Sequence, residues 1–183
     1  MSQLGHSRTM IKETLVSCAL TATVFVNTSV AQQSSARVDI SDDVVKIGVL
    51  SDMSSLYSAA TGKGSLTAAQ MAVADFGGNV RGRPIEVISA DHQNKPDVGS
   101  TIARTWYDTD KVDAIVDVPT SSVALAVQDL SKEKKKIDIV VGAATSRITG
   151  DACTPYGFHW AYDTRALAVG TGGNSVIAAL PTG

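Results

Sequence analysis

The sequence predicts an α/β fold built on a doubly wound parallel sheet, and three observations predict it. Short apolar runs, partly β-branched, recur along the chain. Segments with helical spacing, about ten to fifteen residues each, separate them. The apolar runs are nearly continuous rather than alternating, the pattern of strands buried on both faces of a parallel sheet. Consecutive parallel strands then need right-handed crossovers.

The elements follow in order. Residues 1–31 read as a signal peptide: Arg8 and Lys12 give a positive start, "LVSCALTATVFV" an apolar stretch, and "SVA" a small-residue cleavage site before Gln32. The stretch is too short for a spanning helix, which needs about 20 apolar residues. Leu15-Val16-Ser17-Cys18 loosely resembles a lipid-attachment box, but the apolar run lies mostly after Cys18, where such a box needs it before. Residues 32–43 are polar and unpatterned, a flexible leader.

"VVKIGVL" (Val44 to Leu50) is the first strand, and "GSLTAAQMAVADF" (Gly64 to Phe76) a helix offering Leu66, Ala69, Met71, Val73 and Phe76 for packing. "GGNVRGRP" is the turn that stops it. "PIEVISAD" (Pro84 to Asp91) is the second strand, followed by a helix from Pro96 to Tyr107 with Ile102, Ala103 and Trp106 inward. "VDAIVDV" (Val112 to Val118) and "IDIVVGA" (Ile137 to Ala143) are the third and fourth strands, flanking a helix from Ser121 to Lys136. "GFHWAY" (Gly157 to Tyr162) is a short fifth strand, and Thr164 to Leu180 starts a helical pattern that Gly170, Gly172 and Gly173 weaken.

Composition and motifs exclude several function classes. The chain has 183 residues, 44% hydrophobic and 19% charged, with a formal net charge of −2, so nothing favours a nucleic-acid partner. Cys153 is the one cysteine left after the expected cleavage, a free thiol or half of a bridge. One Cys with His92 and His159 at no ligand spacing makes no metal site, and no cofactor is expected. "TGKGS" suggests a phosphate loop, but Tyr57 stands where the first glycine is needed. No G-x-G-x-x-G follows the first strand and no G-x-S-x-G occurs. "KEKKK" reads as the solvated end of a helix, where cations suit the dipole, and His159 beside Trp160 as a packed strand residue.

In open α/β sheets ligands bind outside the carboxyl ends of the strands. The segments leaving those ends, Ser51 to Gly64, Asp91 to Pro96, Pro119 to Ser122 and Ala143 to Asp151, are rich in hydroxyl, amide and small residues. "PTSS" before the third helix fits two readings. Ser or Thr there caps free backbone N–H groups, and the same groups with the helix dipole attract a carboxylate. Asp52, Asp91 and Asp117 sit near strand ends, where turn-making is the simpler reading than an acidic pocket.

Together "VVKIGVLSDMSSLYS", "AAQMAVADF", "IEVISADHQNKPDVG", "KVDAIVDVPTSSVALAV" and "VVGAATSRITG" resemble the leucine/isoleucine/valine-binding type of solute-binding protein that serves ABC transporters. The resemblance runs from about Val44 to Gly172. It implies a periplasmic-binding-protein type I fold with two lobes, a non-enzymatic role in the periplasm, a small carboxylate-bearing ligand caught between the lobes, and a membrane permease as partner. The ligand classes it admits are branched-chain or other amino acids, amides and aromatic acids.

By position, the resemblance places Thr120 and Ser121 at the ligand carboxylate. Backbone groups of Ala143 and Ala144 with the Thr145 hydroxyl would hold the charged groups of an amino acid, and Ser54 to Tyr57 would supply packing, with Tyr57 as a wall. Such proteins are roughly twice this length. Residues 44–162 would then be the first lobe only, and 163–183 a crossover into an incomplete second, with a premature stop or frame change near Asn174, weak ligand binding, and Cys153 without its bridge partner. Arg165 gains no ligand role. Two other readings are a small exported α/β hydrolase, for which no nucleophile–base pair is evident, and a ligand-sensing module, which would need a signalling domain.

Overall fold

The computed structural model describes residues 42–160 and 162–172, all within the unit Val38–Gly183. The expected signal peptide, nearly all of the leader and the end of the last helix lie outside the described residues.

Six strands form one sheet in the order β2-β3-β1-β4-β5-β6. They are β1 (Val45–Ser51), β2 (Asn79–Val80), β3 (Arg83–Asp91), β4 (Ala114–Asp117), β5 (Ile137–Val140) and β6 (Gly157–His159). All pairings except β2 with β3 are parallel. Helices α1 (Lys63–Asp75), α2 (Pro96–Asp108), α3 (Ser121–Lys134) and the short α4 (Thr164–Leu167) connect or follow the strands. The expected strands and the first three helices are present, with ends shifted by up to three residues; the expected last helix is α-helical only over Thr164–Leu167 and continues as a π-helix over Ala168–Gly172, where the described residues end. Two short pieces are additions. A 3₁₀ turn spans Ser146–Ile148, and β2 forms a hairpin inside the segment read as a plain turn. Its two central residues, Arg81 and Gly82, have φ of 52° and 82°, the double left-handed geometry that matches strand twist.

The order of the sheet dictates its layers. From β1 the chain steps to β3 on one side, then returns across β1 to β4 and onward to β5. With right-handed crossovers, that reversal puts α1 on one face and α2 and α3 on the other. The second face carries the core: Leu50, Ile115 and Val140 from the sheet meet Ala103, Trp106 and Tyr107 of α2 and Val123, Val127 and Leu130 of α3. Each such side chain contributes about 1.5–3 kcal/mol on burial. Contact is tight enough to require glycine, since a Cβ at Gly48 would lie 2.5 Å from the Trp106 ring.

The first face differs. Helix α1 has no buried residue; Leu66, Ala69 and Val73 are half-buried toward β1 and β3, while Met71 and Phe76 are 62% and 67% exposed. The expected packed face was therefore too broad, because positions 66, 69 and 73 share one stripe of a helix and 71 lies off it. Over β4 to β6, Ile137, Val141, Phe158 and Trp160 are exposed on this side.

Candidate functional site

Strands β3, β1, β4 and β5 lie side by side and end together, and the chain reverses direction at β1. The crevice outside the carboxyl ends at such a switch point is where open α/β sheets bind ligands. Three loops border it.

The loop after β1 is organised by two aspartates. Asp52 is fully buried; its Oδ1 accepts the Ser55 N–H at 2.8 Å, and its Oδ2 accepts the Ser55 hydroxyl at 2.6 Å and the Tyr57 N–H at 2.8 Å. Asp91, at the end of β3, accepts the N–H groups of Met53 and Gln93 on Oδ1 and the Ser54 hydroxyl on Oδ2. In both carboxyls desolvation acts upward, but the combined hydrogen bonds, led by Ser55 for Asp52 and Ser54 for Asp91, outweigh it and hold each below the ordinary 3.8. The loop therefore presents Tyr57 at a fixed place, partly exposed. Ser54 lies in the same loop, with its proton committed to Asp91.

The loop after β4 is strained. Asp117 and Val118 have φ of 83° and 45°, a left-handed pair that costs a β-branched residue about 1–3 kcal/mol. The hydrogen bonds Val118 N–H to Leu50 O and Val141 N–H to Asp117 O hold it. The distortion delivers Thr120 to the N-cap of α3 with extended backbone, yet Thr120 makes no side-chain cap bond. Its Oγ1 is buried without a partner, as is one carboxylate oxygen of Asp117. The plain capping reading of "PTSS" thus fails, and the first-turn N–H groups of α3, with the positive end of its dipole, have no side-chain acceptor from the cap. Ser121 is half-buried and Ser122 exposed at the same turn.

The loop after β5 touches the previous one, since a Cβ at Gly142 would lie 3.2 Å from Pro119. Ala143 is buried and its carbonyl meets His159 Nε2 at 2.7 Å; the Ala144 carbonyl accepts the Thr164 N–H at 2.6 Å. Each of these carbonyls has one of its two lone pairs engaged. The Thr145 hydroxyl accepts from the Arg147 N–H at 3.4 Å, capping the 3₁₀ turn, and Thr145 is half-buried. The structure thus brings Ser54, Tyr57, Thr120, Ser121, Ala143, Ala144 and Thr145 to one edge of the sheet.

Sequence reasoning read Asp52 and Asp91 as turn-makers but missed that Asp91 also holds Met53 and Ser54 of the loop after β1. The signal available was an aspartate at a strand end with serine or an amide donor two to three residues on, the spacing of a side-chain-closed turn. Among the described residues no group of His, Cys, Asp or Glu could hold a metal ion, and no helix is long and apolar enough to cross a membrane.

The sequence profile of the family described as periplasmic binding protein matches residues 44–177. Among solved structures, the chain is similar to a periplasmic binding protein from Burkholderia mallei, with 50% identity and a TM-score of 0.73 over 74% of this chain and 36% of that one. A branched chain amino acid ABC transporter periplasmic ligand-binding protein from Burkholderia xenovorans shows 45% identity and a TM-score of 0.69 over 73% of this chain and 36% of that one. A solute binding protein of an ABC transporter from Rhodopseudomonas palustris, solved with 3,4-dihydroxy benzoic acid, shows 28% identity and a TM-score of 0.60, covering 67% and 33%. No curated protein matches. The chain spans about a third of the length of these relatives. The family is a solute-binding one without enzymatic activity, which sets the hydrolase reading aside. The profile match over most of the chain, the shared fold and the switch-point crevice agree: this chain belongs to the periplasmic binding protein family.

Proposed function

We propose that the chain is the first lobe of the solute-binding component of an ABC transporter, exported to the periplasm, and that it takes the carboxylate of a small solute at the start of α3. The observation that carries this reading is the uncapped N-terminus of α3 at the switch point. The first-turn N–H groups and the Ser121 hydroxyl would donate to the carboxylate, and the buried, unpartnered Thr120 hydroxyl would join them after a side-chain rotation. Ala144 and Thr145 would add donors from the neighbouring loop, with Tyr57 as the wall and Ser54 beside it. Branched-chain amino acids, amides and aromatic acids are the solute classes this site suits; the Rhodopseudomonas palustris relative was solved with an aromatic acid.

A good small-molecule site encloses about 70–90% of its ligand, and one crevice edge encloses far less. Binding by residues 1–183 alone is therefore weak, in the millimolar range. The test is amide NMR of the labelled chain titrated separately with 4-hydroxybenzoate and L-leucine. Shifts confined to Ser121–Val123, Ala144 and Thr145 with either solute support the reading; no shifts with both at saturating millimolar concentration, or shifts elsewhere, refute it. Micromolar or tighter binding would overturn the expectation of weak capture.

A further inference from the structure

His92 follows β3 and is fully buried. Its Nδ1 accepts the Asn94 N–H at 3.0 Å, so the proton of the neutral ring sits on Nε2, a buried atom with no partner. Gln93 and Asn94 both have left-handed backbone, with φ of 52° and 56°. Two bonds close this turn: Asn94 N–H to His92 Nδ1, and Gln93 N–H to Asp91 Oδ1 at 2.8 Å. The same Asp91 oxygen accepts the Met53 N–H at 2.9 Å, and its other oxygen accepts the Ser54 hydroxyl. The turn and the loop after β1 are thus tied through one carboxylate.

We propose that the turn Asp91–Asn94 is an acid-sensitive clamp on the loop after β1, closed only while His92 Nδ1 is unprotonated and able to accept the Asn94 N–H. Protonation places an N–H on Nδ1 facing another N–H. That bond is lost, and the new donor finds an acceptor only if the turn rearranges. The charged groups near the ring are Asp52 from the loop after β1, Asp91 from β3 and Asp117 from β4, all of which favour the imidazolium. From the helices, the backbone of α2 packs close at Gly99, where a Cβ would lie 3.5 Å from His92 Cβ and 2.5 Å from Val123 of α3. The Lys95 ammonium is exposed and turned to Gln93 Oε1, and Asp97 is exposed in the first turn of α2. Burial is the strongest influence and holds the ring below the ordinary 6.5, so the clamp is closed at neutral pH and yields on acidification. The direction follows from linkage: a depressed histidine stabilises the closed turn above 6.5, and that stability is lost as pH falls toward the folded-state value.

The test needs no ligand and is independent of the solute reading. In ¹⁵N-labelled full chain at about pH 7.5, imidazole nitrogen shifts should identify His92 as the Nε2–H tautomer. Amide hydrogen exchange of Asn94 and Met53, corrected for intrinsic pH dependence, should report an opening constant that rises up to tenfold per pH unit on acidification to about pH 5. In His92→Asn, whose amide oxygen can stand at the Nδ1 position without titrating, both profiles should be flat. The Nδ1–H tautomer, a flat Asn94 profile in the unaltered chain, Asn94 opening without Met53, or the same slope in His92→Asn each overturns the clamp. If His92→Asn does not fold, the tautomer and the two wild-type profiles decide.

Discussion

Replacing Asp138 by Asn isolates the effect of one buried charge. Asp138 lies in β5 under α3 and is fully buried. Burial pushes its carboxyl up from 3.8 to about 6, against the opposing pull of the nearby Ser131 hydroxyl and its own backbone N–H. Ser131 is itself paired with the Tyr107 hydroxyl at 2.9 Å, and burial likewise raises the Tyr107 phenol. Between 3.8 and about 6 the folded chain holds a proton that the unfolded chain has released, so stability falls as pH rises through this window. A rise of about two units corresponds to about 3 kcal/mol, at ~1.4 kcal/mol per unit. The Asn variant cannot ionise. It should match the parent within about 1 kcal/mol near pH 4 and exceed it by about 2–3 kcal/mol near pH 8. Urea unfolding of both chains across that range reads the difference, with unchanged slope m as the check that compactness is the same. Other titrating groups are common to both chains and cancel. A stability difference independent of pH, or a variant less stable than the parent at the alkaline end, would refute the reasoning.

Gly48→Ala should destabilise by about 1–3 kcal/mol, because the new methyl group would stand 2.5 Å from the Trp106 ring; thermal melts with near-UV circular dichroism would show a lowered midpoint and an altered Trp106 signal. Asp52→Asn replaces the acceptor of the Ser55 hydroxyl and Tyr57 N–H with a donor or rotates it away. The expected cost is about 3 kcal/mol, read by urea unfolding. Because the Asp52 carboxyl is held below 3.8, the parent loses this contribution as pH falls through the lowered value, and the variant shows a shallower acid limb. Gln128→Ala strips the donor that serves the carbonyls of Ile148 and Ala152 at 3.1 and 2.5 Å. A loss of about 1–3 kcal/mol, with faster amide exchange in residues 146–152, is the expected result.

The strands and helices were legible because the buried parallel strands are largely apolar and segments rich in Gly, Pro, Asp and Ser separate them from the helices. The hairpin strand Asn79–Val80 was not, since two residues show no period and Arg81-Gly82 lacks the usual Asn-Gly signature of its turn. The edge of the sheet that gathers the candidate residues was legible from the strand-end rule alone. The orientation of Thr120 was not, because it depends on left-handed backbone at Asp117 and Val118, a conformation that neither residue type announces. Asp52 and Asp91 were read as turn-makers and are so, but their burial and their hold on a second loop come from the adjacency of β1 and β3, which is a property of the assembled sheet.

The unequal covering of the two sheet faces implies an alternating map of mutational tolerance. In β4 and β5, Ile115, Asp117, Asp138 and Val140 are buried under helices, while their immediate neighbours Val116, Ile137 and Ile139 are only partly covered or exposed. Random substitution along these strands should therefore be rejected at every second codon and accepted between them. That period of two is masked in β5 by Ile137 and Ile139, apolar at the less covered positions, and by Asp138, polar at a buried one.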